Sequence, residues 1–271
     1  MSEKKHFRVA VLDMNKGHEN QGIRSISEIL KEFEEVYGVE LQVATFEVRL
    51  NGELPDLSFD AYISSGGPGS PFDGLGMDWE QQFFQFIDKL VTYNKNNNNK
   101  KHLFLICHSF QLACRKFEVA KVIPRYSNAF GVFPVYLSEG GKLISLFMGL
   151  ENPFYALDSR DWQVIDPDAN RLDELGAIIL AYEKERAKVA FDRCIMAIQF
   201  SPEIVGTQFH PEADPIGLQN YFGHLETKDI IVATHSKEKY ENVIDSLAKP
   251  DRILITQKTI LPNFLKAALN L

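Results

Sequence analysis

The chain has 271 residues, a formal charge of −8, 45% hydrophobic and 24% charged residues, a balance ordinary for a globular protein that buries a full core. The acidic balance and the lack of a basic run argue against a nucleic-acid surface, and nowhere is there the roughly 18-residue apolar stretch that a membrane span needs. Cysteines at 107, 114 and 194 form an odd count with no CxxC spacing, so neither a disulfide framework nor a zinc site is indicated and no metal is expected. The opening MSEKKHFRVAVL turns apolar for only about six residues, too few for a signal h-region. A cytoplasmic location is the expectation.

In chain order, Phe7–Leu12 reads as a buried strand and Asp13–Gly22 as a polar, helix-capping loop whose His18, Glu19, Asn20 and Gln21 open toward one sheet edge. Ile26, Ile29, Leu30, Phe33 and Tyr37 recur at helical spacing, with Gly38 as a stop. Leu41–Phe46 and Phe59–Ser64 are further strands, the second running into GGPGSP (Gly66–Pro71), where the backbone must turn sharply. Trp79, Phe83, Phe86, Ile87 and Leu90 form a helix stripe, and Asn94–Asn99 reads as an exposed loop. His102–Ile106 is a strand and Gln111–Phe117 a helix. This β-α-β-α order predicts an α/β fold with a doubly wound, mostly parallel central sheet and flanking helices.

After Pro124 the runs shorten: Phe130–Leu137, Lys142–Phe147, Trp162–Ile165, Ala177–Tyr182, Lys188–Ala190, Cys194–Phe200 and Ile204–Phe209 read as strands at hairpin-like spacing, a small antiparallel extension. Asp158, Arg160 and Asp161 read as a solvated turn. Asp214–Phe222 restarts a helix. The tail reads as a short strand (Ile230–Ala233), a helix over Lys237–Leu247 and a last helix with Ile260, Phe264, Leu265 and Ala268. Residues 1–225 are taken as one domain and 226–271 as an α/β extension packed on it. GGPGSP lacks the Lys-Ser/Thr of a phosphate loop, and no nucleotide or other cofactor is expected.

Three fragments carry chemistry. Cys107 falls on a tight strand-to-helix turn, where helix-start N–H groups lower a thiol pKa and can hold an oxyanion; on that fragment alone a buried core cysteine is the plainer reading. Gly66–Pro71 alone is a turn. In Gln208–Glu212 (QFHPE), His210 and Glu212 alternate and so lie on one side of an extended segment. A thiol nucleophile needs a base and an acid to orient that base, and Cys107, His210 and Glu212 supply all three. Cys114, seven residues along the helix, and Cys194, in an apolar strand, read as core.

GGPGSP, ICHSFQ and VGTQFHPEAD, in that order, resemble the three signatures of the class I (triad) glutamine amidotransferases. PRYSNAFGVFPV and the Ser159–Ile165 segment are similar to stretches in stand-alone, GMP-synthase-like members, with Arg160 where a histidine is usual. The resemblance covers about residues 7 to 222 and implies a flavodoxin-like fold. It implies hydrolysis of the glutamine side-chain amide: Cys107 attacks, ammonia leaves, and water resolves a γ-glutamyl thioester, with His210 as base then acid and Glu212 orienting it. By the family pattern the N–H groups of Gly67 and His108 are the oxyanion donors, and Gly69 and Gln111 line the glutamine pocket. A separate acceptor or synthetase subunit is the implied partner.

The sequence departs from the pattern at the elbow. Leu105 and Ser109 stand where glycines are usual. Leu105, on the same side of its strand as Cys107 by alternation, must fit a widened crossing or alter the pocket floor. His108 reads as an exposed turn histidine. These departures keep two other readings open: a γ-glutamyl peptide hydrolase or acyltransferase on the same scaffold, and a non-catalytic regulatory or binding subunit.

Overall fold

The computed structural model describes residues 4–18, 20–185, 193–249 and 251–271. Its centre is a nine-stranded sheet in the order β2-β1-β3-β4-β9-β8-β7-β5-β6. The first half comprises β1 (His6–Asp13), helix α1 (Gln21–Tyr37), β2 (Glu40–Glu47), a short α2 (Val48–Asn51), β3 (Ala61–Ser64), α3 (Asp78–Asn96), β4 (His102–Ile106) and α4 (His108–Phe117). Strands β1, β2, β3 and β4 pair in parallel, as β-α-β crossovers require. The side chains of β1, β3 and β4 are mostly buried on both faces, whereas β2, at the sheet edge, buries only Leu41. Val9, Val11, Ile63 and Phe104 pack with α1, whereas Ala10, Tyr62, Leu103 and Leu105 pack with α3 and α4.

The second half adds β5 (Ala120–Leu137), α5 (Glu139–Leu143), a 3-10 turn (Ser145–Phe147), β6 (Phe154–Pro167), α6 (Ala169–Leu175), β7 (Ile178–Glu183), β8 (Ile195–Ser201) and β9 (Ile204–Thr207). Here β5 pairs antiparallel with β6 and β7, and β8 with β7 and β9. β9 then returns in parallel beside β4. The sheet is mixed, parallel in its core and flanked by helices, with the antiparallel extension expected.

Several expectations are corrected. Lys142–Phe147 is not a strand: the Ser138 side chain caps α5 by accepting from Gly141 N–H, and a Cβ at Gly141 would lie 2.0 Å from the Leu180 carbonyl oxygen. Asn94 is not in an exposed loop; it is buried at the end of α3, where its side chain exchanges two hydrogen bonds with the Lys101 backbone (2.7 and 2.8 Å). Lys188–Ala190 lies outside the described residues.

The tail follows α7 (Pro215–Gly223) with α8 (Leu225–Thr234), α9 (Lys237–Leu247), α10 (Asp251–Gln257) and α11 (Ile260–Ala268), so the described part of the extension is helical and not α/β. Ile230–Ala233, β-branched enough to suggest a strand, lies inside α8, where Ile231 is buried and Ile230 exposed. The Lys237–Leu247 helix stands as expected. Helix α11 covers the α1 face of the sheet, with the Phe264 ring 5.2 Å from that of Phe104. No helix among the described residues is long and apolar enough to cross a membrane.

Candidate active site

Three neighbouring strands, β3, β4 and β9, end at one edge of the sheet and deliver the three fragments together. Cys107 links β4 to α4 at φ 49° and ψ −98°, a left-handed conformation that a non-glycine residue adopts only when its surroundings hold it there. They do so from both sides. Cys107 N–H donates to the Thr207 carbonyl of β9 (2.7 Å), and Gln111 N–H returns to the Cys107 carbonyl (3.0 Å). Ser109, where the family pattern has glycine, is fully buried; its hydroxyl accepts from Ile106 N–H (2.9 Å) and reaches the Ser64 carbonyl (3.0 Å), tying β3, β4 and α4 together.

The positive φ also breaks the strand alternation. Leu105 packs in the α4 layer, whereas Cys107 belongs to the opposite one, so Leu105 does not share a side with the thiol and is no part of its floor. His108 is corrected as well. It opens α4 but is 2% exposed, and both its ring nitrogens lack a partner among the described residues. Burial, with Arg49 and Arg115 nearby, pushes its pKa down to about 3, so it is a neutral core imidazole.

His210 follows β9 and is pinned by its own N–H, which donates to the Leu157 carbonyl of β6 (2.9 Å). Its Nδ1 lies 2.8 Å from Glu212 Oε1, the carboxylate being buried and the imidazole side chain 19% exposed. Burial disfavours the imidazolium, but Glu212 and then Cys107, by charge and hydrogen bonding, outweigh it and hold the His210 pKa well above its ordinary value. Gly66 is where loop and imidazole meet: a Cβ there would lie 2.9 Å from His210 Cε1 and 3.5 Å from Cys107 Cβ.

Gly67 faces the β1 loop so closely that a Cβ would sit 2.3 Å from the Met14 carbonyl oxygen. Arg49 clamps both segments, donating to the carbonyls of Met14 (3.1 Å) and Pro68 (2.7 Å). Neither Gly67 N–H nor His108 N–H meets a protein acceptor among the described residues. Gly69, at φ 88°, and Gln111 line a cavity of about 550 Å³ with Cys107 and His210, and His18, Asn20 and Gln21 stand on its rim. Asn20 also caps α1 by accepting from Gly22 N–H (2.5 Å). Glu19 lies outside the described residues. Cys114 and Cys194 are buried away from this cavity.

Three features escaped sequence reasoning. Gln208 is fully buried; its Nε2 donates to Cys107 Sγ (3.6 Å) while its Oε1 accepts from Gln111 Nε2 (3.1 Å). Its place two residues before His210 in an extended segment, hence on the same side, was the available signal. Arg49 had none. Asp158 and Arg160 are not a solvated turn: both are buried in β6, with Arg160 Nε 2.9 Å from each Asp158 oxygen and Nη1 3.0 Å from Cys194 Sγ. Against the cost of burial, Asp158 and its neighbours keep the Arg160 guanidinium charged. This anchor sits beside Ser159, whose carbonyl accepts from Cys107 Sγ at 3.8 Å. Asp161 alone of the three is exposed.

Solved structures share the fold. A glutamine amidotransferase from Thermotoga maritima is similar at a TM-score of 0.69 and 13% identity, over 98% of this chain and 99% of that one. One from Methylobacillus flagellatus gives 0.61 and 12%, over 97% and 95%. The glutaminase domain of CTPS from Trypanosoma brucei, with bound acivicin, gives 0.56 and 15%, over 90% and 94%. At these identities the likeness concerns the fold. No curated protein sequence matches the chain. The family model "Glutamine amidotransferase class-I" matches residues 22–221. That span is well over half of the 271 residues and includes the Gly66 turn, the Cys107 elbow and the His210 segment, so the chain belongs to the class I glutamine amidotransferase family.

Proposed function

We propose that the protein is a cysteine-dependent hydrolase of the γ-amide of glutamine or of a related γ-glutamyl compound. Cys107 is the nucleophile, His210 the general base and then acid, and Glu212 the group that orients it. The observation carrying this reading is the buried Glu212–His210 contact of 2.8 Å, with Cys107 close enough to help raise the imidazole's pKa. Glu212 accepts the hydrogen bond from Nδ1–H, which leaves Nε2 to exchange a proton with the thiol and with the departing nitrogen.

The thiolate attacks the δ-carbonyl carbon and the oxyanion is received by the N–H groups of Gly67 and His108, two donors free for that use. Collapse expels ammonia with a proton from His210. Water, deprotonated by the same imidazole, then cleaves the γ-glutamyl thioester to glutamate. Gly69 and Gln111 hold the amino-acid end. Gln208 takes one N–H of the Gln111 amide, which leaves the Gln111 carbonyl oxygen and its second N–H for the substrate. Residues 1–225 form the amidotransferase unit and 226–271 an appendage of it. A separate synthetase-type subunit is the expected consumer of the ammonia.

Purified protein incubated with glutamine and with a panel of γ-glutamyl amides should release glutamate, with ammonia from glutamine, and the Cys107→Ala protein should release neither. Undiminished release by Cys107→Ala protein would overturn the assignment and leave a binding subunit or another site as the better account.

A further inference from the structure

The cavity at Cys107 runs on past His210, along Phe130, Leu157, Tyr221, Phe222, Thr234 and His235. This wall is packed: Phe130, Leu157 and Phe222 are buried in one apolar cluster with Ala213 and Leu218. It belongs to the imidazole side of the thiol, because Leu157 accepts the His210 N–H and Ala213 N–H donates to the His210 carbonyl (3.4 Å). In the proposed reaction the imidazolium protonates the leaving nitrogen, so the space beside it receives the leaving amine. For glutamine that group is a single nitrogen atom, which needs none of this wall.

The C-terminal helices add a polar group of defined protonation. Lys239 Nζ donates to Asn128 Oδ1, which turns the Asn128 amide so that Nδ2 faces His235 Nδ1 at 2.7 Å. His235 Nδ1 must accept, so the ring is neutral and carries its proton on Nε2. Burial and Lys239 favour this neutral form, and Asp161 opposes them. The ring is stacked on Phe130, with centroids 4.3 Å apart and planes 6° apart. Among the described residues Nε2–H has no protein acceptor. His235 therefore brings one oriented donor to a compartment whose wall is largely apolar and aromatic.

Building on the Cys107–His210–Glu212 reading, we propose that α7 and α8 complete an amine-side subsite. Its ligand is a γ-glutamyl amide of an aromatic amine bearing a hydrogen-bond acceptor, the ring lying against Phe130, Tyr221 and Phe222 and the acceptor on His235 Nε2–H. In cleavage the Sγ–carbon bond forms to give the tetrahedral oxyanion, whose collapse breaks the carbon–nitrogen bond, and the amine leaves with a proton from His210. Water then adds to the thioester and Sγ departs as thiol. The sum is amide plus water giving glutamate plus free amine.

Two measurements on the full chain test this. The first compares kcat/KM for glutamine, γ-glutamylethylamide, γ-glutamylphenethylamine and γ-glutamyltyramine. γ-Glutamyltyramine should exceed the ethylamide roughly tenfold or more. The tyramine-to-phenethylamine ratio should fall to about one in His235→Phe, which keeps the stack, and be partly restored in His235→Gln, which keeps an N–H donor. The second measures binding to Cys107→Ala protein by calorimetry, where γ-glutamyltyramine should bind roughly tenfold more tightly than glutamine. Equal or weaker binding, or a ratio indifferent to His235, would overturn the subsite. Tight binding with no turnover by the unaltered protein would overturn the triad alone.

Discussion

Leu105 on β4 lies directly opposite Gly206 on β9, and a Cβ at 206 would come within 3.2 Å of Leu105 Cβ and 2.7 Å of the Phe110 ring. The elbow has kept its close strand–helix crossing by moving the missing side chain to the next strand. Gly206→Ala is expected to destabilise the protein by about 1–3 kcal/mol through overpacking. Leu105→Gly in the same chain removes that Cβ and should recover part of that loss, and a double-mutant cycle in denaturant unfolding measures the coupling. Additive effects would mean that the two positions do not share the space.

Gly67 admits no side chain because the Met14 carbonyl is in the way. Gly67→Ala is therefore expected to push the loop off its position and misplace one oxyanion donor, lowering kcat by about 10²–10³-fold. Labelling of Cys107 by an iodoacetamide-type reagent, which builds no oxyanion, should change much less. A parallel loss of both would point to a general collapse of the site.

The raised pKa of His210 gives a signed expectation for pH. The imidazolium beside Cys107 persists to higher pH than an ordinary histidine would allow, so the pH profile of Cys107 labelling should report the loss of that imidazolium. Glu212→Gln removes the largest contribution raising that pKa, so the imidazolium should be lost at lower pH, with a smaller fall in activity than in His210→Ala. His210→Ala should remove that imidazolium-dependent step from the labelling profile. Peptide mapping should find Cys114 and Cys194 unmodified in the folded protein, both being buried.

His108 makes the opposite prediction for stability. Folded, it takes a proton only near pH 3, while the unfolded chain takes it near the ordinary value of 6.5. The unfolded state thus binds more protons between these values, and stability falls as pH drops from about 6.5 toward 3, by at most about 1.4 kcal/mol per pH unit. His108→Leu should flatten this acid limb in urea titrations at pH 6.5, 5.5 and 4.5. An unchanged slope would place the responsible proton elsewhere.

What could be read in advance follows the range of the interactions involved. The β4 boundaries, the Cys107 turn and the α9 helix are set by neighbours in sequence, and each was legible there. Arg160 was not, because its partners Cys194 and Glu183 come from or beside other strands. A lone Asp-x-Arg in sequence is most simply solvated, and only the packing of β6 against Cys194 and Met196 buries it. His108 was misread for a related reason: a polar residue at a turn is usually wet, but here Arg49 and the Gly66–Pro71 loop close over the elbow. The β-branched run in α8 was read by local propensity and settled by the packing of Ile231.

The position of β9 also has a temporal meaning. β4 has β3 on one side from early in the sequence, but its other neighbour comes from residues 204–207, about a hundred positions later. A chain emerging from the ribosome carries Cys107 long before His210, with β4 left as an open edge until the β8–β9 hairpin docks. Insertion of that hairpin is the event that seats Cys107 against Thr207 and brings His210 within reach. Under the proposed triad, no chain that stops short of Glu212 can hold the reactive geometry, so the pairing of β9 with β4 completes the site and the parallel ladder together.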